Sequence, residues 1–109
     1  MTTPETCCVV FATVGSREEA ERIAAAVVEE RLAACCNLVP GVCSVYRWKG
    51  AVHRDDETLM ILKTRRSLFE SLRARIKSLH SYEVPEIIAL PLIAGHADYL
   101  NWVEQETAP

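Results

Sequence analysis

Hydrophobic and polar positions along the chain form blocks whose spacing predicts a strand first and a helix after it. The first block, Glu5–Val14, is a continuous apolar run rich in β-branched residues, which is typical of a strand covered on both faces. It ends at Gly15. Ser16 and Glu19 then form the S-x-x-E pattern of a helix-capping box, and apolar residues recur at helical spacing as far as Leu32. This second block predicts an amphipathic helix.

The middle of the chain is typical of a long β-hairpin. One strand is predicted over Cys35–Trp48, with a bulge or bend at Pro40-Gly41, and the chain returns over Ala51–Lys63. The turn between them would be Lys49-Gly50, where Gly accepts a positive φ readily and Lys does so reluctantly. The hairpin therefore has two arms of about 13 residues each, or roughly 40 Å.

The remaining segments supply a second helix, a fourth strand and a short terminal helix. Ser67 and Glu70 repeat the capping box ahead of a second helical pattern. Glu86–Ile93 is predicted as a strand, with Pro91 indicating an edge position, and Ala97–Glu106 as a helix. The order β-α-β-β-α-β plus a helix, with two right-handed crossovers around a central hairpin, predicts a single α+β domain over 1–109, a ferredoxin-like sandwich.

The hairpin is too long for a domain of this size, whose expected radius of gyration is near 13 Å. Its tip should project past the sheet, with Cys36 opposite Lys63 if no bulge intervenes. The projecting part carries four apolar residues: Val42, Val45, Tyr46 and Trp48. Covering the two aromatic rings would contribute at most about 7–12 kcal/mol, which predicts a partner subunit. The alternative is that the arm bends at Pro40-Gly41 and folds over its own sheet.

Composition narrows the class of protein. The chain has 109 residues, 12 basic and 15 acidic, and the net charge of −3 argues against a basic nucleic-acid surface. No apolar run approaches the roughly 20 residues of a membrane span, and no secretory leader is visible at Met1–Thr6. Five cysteines in a domain that needs no disulfides indicate reduced thiols, and hence a cytoplasmic location.

Five ordered motifs resemble the CutA divalent-cation tolerance family over essentially the whole chain. The motifs span 33–38, 44–50, 57–64, 80–88 and 99–103, and read AACCNL, SVYRWKG, ETLMILKT, HSYEVPEII and YLNWV. The resemblance implies a ferredoxin-like subunit in a tight homotrimer whose hairpin reaches between subunits, with an architecture similar to PII signalling proteins. It also implies a role in copper and divalent-metal tolerance, without a settled catalytic reaction. Two positions depart from the family pattern: Ser81 replaces a proline, and Cys36 replaces a small or apolar residue.

The residues that could hold a metal are thiols and imidazoles, which suit copper and zinc. By type they are Cys35, Cys36, His80 and His96, with Glu83 and Glu86 as oxygen donors. Adjacent residues on a strand point to opposite faces, so Cys7-Cys8 and Cys35-Cys36 cannot chelate as pairs. The competing interpretation is that these cysteines are small core residues and that His96 packs against or caps a helix. A metal site with Cys35 and His80 would have to be completed across subunits.

A second group of residues combines both signs of charge with aromatic donors near strand ends. Its members are Trp48, Glu57, Lys63, Tyr82 and Glu86. Glu57 and Lys63 share one strand face by period two, and Lys63 must find a carboxylate or a ligand because an unpaired buried charge is costly. In the family that the chain resembles, these positions line clefts between subunits. They predict a ligand site there; the alternative is a structural polar network that locks the trimer.

The resemblance, supported by the thiol and imidazole content, implies a cytoplasmic homotrimer that binds copper or another divalent metal ion between subunits. One alternative is a PII-like module that senses a small anion near Lys63, and another is a trimeric scaffold without a ligand of its own. An enzyme is disfavoured, because the chain has no nucleophile elbow and no metal-hydrolase motif. Nucleic acid and membranes are not expected as partners.

Overall fold

The computed structural model describes residues 6–107, so that Glu5, the first residue of the predicted initial strand, lies outside the described part. Four strands and three helices follow one another in the predicted order. They are β1 (Cys7–Val14), α1 (Arg17–Glu29), β2 (Cys35–Trp48), β3 (Ala51–Arg65), α2 (Phe69–Leu79), β4 (Ile87–Pro91) and α3 (Ala97–Glu106). The strands form one antiparallel sheet in the order β2-β3-β1-β4, which confirms the predicted α+β class.

The core lies between the sheet and the helices α1 and α2. Alternate residues of β1 and β3, among them Val10 and Leu62, are buried against Ile23 of α1 and Ile76 of α2. The other residues of β1 point the opposite way, since strand side chains alternate between faces. Cys7 accordingly packs against α3, while its neighbour Cys8 joins the core under α1 and α2.

The two helix starts differ although their sequences match the same capping pattern. Ser16 caps α1, accepting a hydrogen bond from the backbone N–H of Glu19 at 3.2 Å. The predicted cap of α2 is wrong: Ser67 lies in a single 3-10 turn, Arg66–Leu68, and α2 begins only at Phe69. Glu70, which the pattern assigned to the cap, instead accepts a hydrogen bond from Arg73 at 3.0 Å. The 3-10 turn therefore includes Ser67, the residue that was predicted to cap α2.

The hairpin has the predicted turn, but β3 runs two residues past the predicted Lys63, to Arg65, and the predicted register does not hold throughout. Lys49 and Gly50 both have positive φ, 49° and 82°, as a tight two-residue turn requires, and Trp48 pairs with Ala51. A bulge between Val39 and Val42 shifts the pairing by one residue, so that Cys35 rather than Cys36 lies opposite Lys63. Gly41, at φ 76°, supplies the left-handed conformation within the bulge.

Beyond the bulge the hairpin leaves the body of the sheet as a two-stranded ribbon, residues 42–57. β1 pairs with β3 only from Thr58 onwards, so the ribbon has no third strand beside it. The overall dimensions, 47 × 26 × 22 Å, reflect this projection. The ribbon thus continues outward instead of folding over its own sheet.

The face of the sheet opposite α1 and α2 is only partly covered. α3 packs over one end of it, on Cys7 and Ala34. The rest we call the open face; the register places these apolar side chains on it: Val9, Phe11, Val39, Leu59, Ile61, Ile88 and Leu90. The fourth strand is shorter than predicted, Ile87–Pro91, and lies at the edge as Pro91 indicated. Within residues 6–107, no helix is long and apolar enough to cross a membrane.

Candidate functional site

A cavity of about 650 Å³ lies where the ribbon leaves the body, beside the end of β1 and the 80–86 loop that follows α2. Its walls carry four of the five residues predicted to bind a ligand. The lining is Thr13, Ser44, Val45, Tyr46, Trp48, Glu57, Ser81, Tyr82, Glu83, Val84 and Glu86. A volume of this size is in the range of small-molecule sites, about 300–1,000 Å³.

Glu57 and Tyr82 form the centre of the cavity wall. The phenol of Tyr82 donates a hydrogen bond to Glu57 Oε2 at 2.9 Å, and Glu57 is only 8% exposed. Burial, reinforced by this bond to a carboxylate, raises the pKa of Tyr82, which therefore remains a donor at neutral pH. Gly15 makes the contact possible, because a Cβ there would lie 2.9 Å from the Tyr82 hydroxyl.

The 80–86 loop is held to the body by His80. The backbone N–H of Tyr82 donates to His80 Nδ1 at 3.0 Å, while His80 Nε2 lies 2.8 Å from the carbonyl oxygen of Thr13. Since Nδ1 accepts, the proton must be on Nε2, and the ring is neutral. Both ring nitrogens of this buried histidine are therefore engaged in positioning Tyr82.

A second anchor holds the loop to the helices. Glu19 accepts two bonds from Ser81, one from its backbone N–H at 2.9 Å and one from its hydroxyl at 2.8 Å. Lys77 of α2 donates to the backbone carbonyl of Glu83 at 2.9 Å. The carboxylate of Glu19 thus binds Ser81 in the loop and not the backbone N–H of Ser16. Of the predicted capping box, only the bond from the Glu19 backbone N–H to the Ser16 side chain forms.

The ribbon contributes aromatic side chains to the same cavity. Tyr46 donates a hydrogen bond to Asp55 across the ribbon, and this bond to a carboxylate raises the pKa of Tyr46. The Tyr46 ring stacks on His53, with ring centres 5.5 Å apart. The ammonium of Lys49 lies 5.6 Å from the centre of the Trp48 ring, within the distance of a cation–π contact.

Lys63 is not part of the cavity, although it shares a strand with Glu57. Six residues separate the two along β3, a distance of about 20 Å. Lys63 donates a hydrogen bond to the side-chain oxygen of Asn37, so its partner among the described residues is an amide, where the sequence predicts a carboxylate or a ligand. Charged side chains lining the cavity, among the described residues, are all acidic: Glu57, Glu83 and Glu86.

The two predicted metal ligands lie at different levels of the sheet. Cys35 lies opposite Lys63, and Lys63 lies opposite Val9 of β1. His80 instead contacts Thr13, which is four residues beyond Val9 on β1, a distance of about 13 Å. The Cys35 thiol is half-buried and lies 3.4 Å from the hydroxyl of Tyr99. Across residues 6–107, no three His, Cys, Asp or Glu side chains converge as a metal site would require.

Comparison with known proteins identifies the family. A family model described as CutA1 divalent ion tolerance protein matches residues 8–106. The chain belongs to this family. The Divalent-cation tolerance protein CutA of Thermus thermophilus is 52% identical over 99 residues, which are 91% of this chain and 96% of that protein. The chloroplastic Protein CutA of Arabidopsis thaliana is 48% identical over 91% of this chain, which spans only 54% of that longer protein.

Solved structures of CutA proteins share the fold. The divalent cation tolerance protein from Thermus thermophilus superposes with a TM-score of 0.91 at 51% identity, over 94% of this chain and 99% of that one. The periplasmic divalent cation tolerance protein CutA from Archaeoglobus fulgidus gives a TM-score of 0.89 at 38% identity, over 92% and 97% of the two chains. The ferredoxin-like fold predicted from the order of strands and helices agrees with these matches.

Several lining residues of this CutA chain were not predicted as site residues. Ser44 lies on the same face of the ribbon as Tyr46 and Trp48. Because every second residue of a strand shares a face, counting back from Trp48 in steps of two would have identified it. Thr13 and Ser81 carried no signal of this kind, because their positions depend on how the 80–86 loop meets the end of β1. At Ser81, the backbone N–H and the hydroxyl both bind Glu19.

Proposed function

We propose that this chain forms a homotrimer that works in divalent metal tolerance by binding metal ions, copper first among them, at the clefts between subunits. The proposal places the protein in the cytoplasm and assigns it no catalytic step. The observation that carries it is the open face of the sheet, whose apolar side chains and half-buried Cys35 thiol are incompletely covered within residues 6–107.

The case for assembly rests on two surfaces that expose apolar side chains, the open face and the ribbon. Ile88 on the open face is 49% exposed, and Val45 on the ribbon is 61% exposed. Exposed apolar patches rimmed by polar residues mark interaction sites, and each Å² that is covered contributes about 25 cal/mol. Copies of this chain are the occupants that bring matching apolar surfaces. The choice of three copies follows the family resemblance.

The case for a metal ion between subunits rests on Cys35. Its thiol lies on the same face as Lys63, at the surface that a second copy would cover. Because the described residues of one chain bring no three metal-ligating side chains together, further ligands would come from a neighbouring subunit. His80 supports the proposal less, since a metal would have to displace one of the bonds that hold the 80–86 loop.

The absence of a catalytic step from the proposal has a physical basis in the cavity. His80, the histidine that positions Tyr82, is buried and hydrogen-bonded at both ring nitrogens, so neither nitrogen is free to exchange a proton with a substrate. The cytoplasmic location is supported by five free thiols, which suit a reducing compartment. Fractionation of cells should recover the protein with cytosolic markers; recovery with periplasmic or organelle markers would refute that location.

Calorimetric titration of the reduced protein with copper and zinc ions tests the metal role. We expect Cys35→Ser to abolish tight copper binding, while Cys43→Ser, which removes an exposed ribbon thiol, leaves it unchanged. Light scattering of the same samples should give the mass of three subunits. Copper binding that survives Cys35→Ser, or a monomeric mass in dilute buffer, would contradict the proposal.

A further inference from the structure

We propose that Tyr99 is a positioning residue for the Cys35 thiol, and that two arginines, Arg31 and Arg65, hold α3 so that Tyr99 stays in place. This role rests on the metal site proposed at Cys35 and adds to it the helix that controls the thiol. Three observations carry the inference: a hydrogen bond between Tyr99 and Cys35, a guanidinium cap on the end of α3, and a strained backbone at Arg31.

The bond between Tyr99 and Cys35 joins the first turn of α3 to the first residue of β2. The hydroxyl oxygen and the sulfur lie 3.4 Å apart, within the distance of a hydrogen bond to sulfur. A thiol must lose its proton before it binds a metal ion, and the phenol is then the only possible donor of the two. Hydrogen bonds to a metal ligand orient it and adjust its affinity for the metal. Tyr99 can therefore orient Cys35 without touching the metal itself.

The end of α3 is capped by two arginines that lie outside the helix. Arg31 donates to two of the final carbonyl oxygens, at 2.5 and 3.1 Å. Arg65 donates to two more, at 2.5 and 2.8 Å, and to the hydroxyl of Thr107 at 3.0 Å. The four carbonyl groups belong to Glu104, Gln105, Glu106 and Thr107. The last carbonyls of a helix lack partners within it and carry the negative end of its dipole, so two guanidinium groups stabilise this end.

Arg31 supplies its half of the cap from a strained backbone. It follows the C-cap of α1 with a φ of 61°, and the N–H groups of Arg31 and Leu32 bond back to the carbonyls of Val28 and Val27. Glycine is the usual residue at this position of a helix end, because a Cβ disfavours the left-handed conformation. The side chain at this strained position is the one that reaches α3. A glycine here would relax the backbone and remove the cap.

Packing connects the position of α3 to Cys35. Two side chains of α3 are almost completely buried beside Ala34, which directly precedes Cys35. They are Leu100 and Val103. The first turn of α3 is less secured, because its N-cap residue, His96, makes no side-chain cap bond. The placement of Tyr99 therefore depends on the rest of the helix, whose far end the arginines hold.

Calorimetric titration with copper ions tests the role of Tyr99. Tyr99→Phe removes the hydroxyl and keeps the ring that lies 5.6 Å from Trp102, so the copper dissociation constant should rise about 10-fold. Asn101→Ala, at an exposed residue of the same helix, should leave it unchanged. Hydrogen exchange in α3 should be the same in Tyr99→Phe as in the original chain, which separates an effect on the thiol from a loss of structure. Unchanged or tighter copper binding in Tyr99→Phe would overturn the proposal.

Hydrogen exchange followed by mass spectrometry tests the arginine cap. Arg31→Gly removes two hydrogen bonds from the end of α3 and relaxes the backbone after α1, so the amides of α3 should exchange about 10-fold faster and those of α1 no faster. Lys49→Gly is the matched control, because among residues 6–107 Lys49 is the other non-glycine residue with a positive φ. It should leave α3 unchanged. Exchange in α3 as slow in Arg31→Gly as in Lys49→Gly would show that the cap does not hold the helix.

The double variant tests whether the cap acts on Cys35 through Tyr99. Arg31→Gly alone should raise the copper dissociation constant about 3-fold, and it should add no further loss in the Tyr99→Phe background. Losses that simply add would contradict the coupling. Copper binding that is lost in Cys35→Ser but normal in Tyr99→Phe would remove only this inference, whereas binding that survives Cys35→Ser would remove the proposed metal site.

Discussion

The body of the sheet and its ribbon are built from the same two strands, yet they bury their side chains very differently. In the body, Leu62 of β3 lies within the core under α1 and α2. In the ribbon, ten residues earlier on the same strand, Val52 is 63% exposed. The body has helices on one face and β1 beside it, whereas the ribbon has only its own two strands. The body therefore accounts for the stability of one chain, whereas the ribbon leaves most of its side chains exposed.

The largest expected change in unfolding free energy comes from a substitution in the buried core of the body. Leu62→Ala should destabilise the protein by about 2–5 kcal/mol, because it removes buried methyl groups and leaves a cavity in a packed core. Urea unfolding followed by circular dichroism measures the change. Ile93→Ala, at a side chain that is 97% exposed, should change stability by less than about 0.5 kcal/mol. Equal losses in the two variants would remove the distinction between buried body and exposed surface.

The next effect concerns the ribbon. Trp48→Ala should weaken each subunit contact by about 2 kcal/mol, roughly 30-fold in dissociation constant, since tryptophans dominate the energetics of interfaces. Sedimentation equilibrium over a range of concentrations measures it. Trp102→Ala is the matched control, because Trp102 has the same 38% exposure but belongs to α3 on the body. A full assembly at nanomolar concentration in Trp48→Ala would show that the ribbon does not hold the subunits together.

The decrease in unfolding free energy at alkaline pH tests whether Cys36 is buried in the body of the sheet. Burial raises the pKa of Cys36 to about 12 from 9.0, so the folded state keeps the thiol protonated. Above about pH 9 the unfolded chain ionises this thiol and the folded chain does not, so stability is present below that pH and is lost as pH rises. The loss between pH 9 and about pH 10 should be about 1 kcal/mol from this group.

Cys36→Ala isolates that contribution, because Tyr82 and Tyr99 also have raised pKa values and act in the same direction. Urea unfolding of both proteins at the two pH values should give a shallower loss for the variant. Cys43→Ala, at an exposed thiol of the ribbon, should lose stability as steeply as the original chain. Identical slopes in Cys36→Ala and the original chain would contradict the assignment.

The sequence predicts the body better than it predicts where the hairpin strands meet. Element order and the edge position of β4 follow from periodicity and from Pro91, because those signals are local. The pairing of Cys36 with Lys63 was wrong, since the sequence suggests a bulge at Pro40-Gly41 but not how many residues it shifts. The cap at Ser67 was wrong because a 3-10 turn and an α-helix can start from the same four residues.

The candidate site shows the same limit. Trp48, Glu57, Tyr82 and Glu86 were predicted as one group and line one cavity, since each lies near the end of an element that meets the 80–86 loop. Lys63 shares their type of chemistry but is about 20 Å from Glu57, because strand alternation fixes a face and not a distance. Whether these residues bind a ligand stays a prediction.

The smallest effect on stability belongs to Gly15, at the junction of the two regions. Its φ is not in the left-handed region, so Gly15→Ala strains no backbone, but the new Cβ would lie 2.9 Å from the Tyr82 hydroxyl. The far end of a side chain can move, and the unfolding free energy should change by less than about 1 kcal/mol. The phenol would move by a fraction of an ångström, so its hydrogen bond to Glu57 should lengthen although the fold is kept.

Gly95→Ala provides the matched control for that experiment. Its new Cβ would crowd the side chain of Leu100 at 3.1 Å, which is a comparable conflict in the body and away from the cavity. Crystal structures should therefore show the hydrogen bond between Tyr82 and Glu57 at its original length in Gly95→Ala and longer in Gly15→Ala. If both variants keep the bond unchanged, the close approach at Gly15 does not set the position of Tyr82 and only packs the loop against the body.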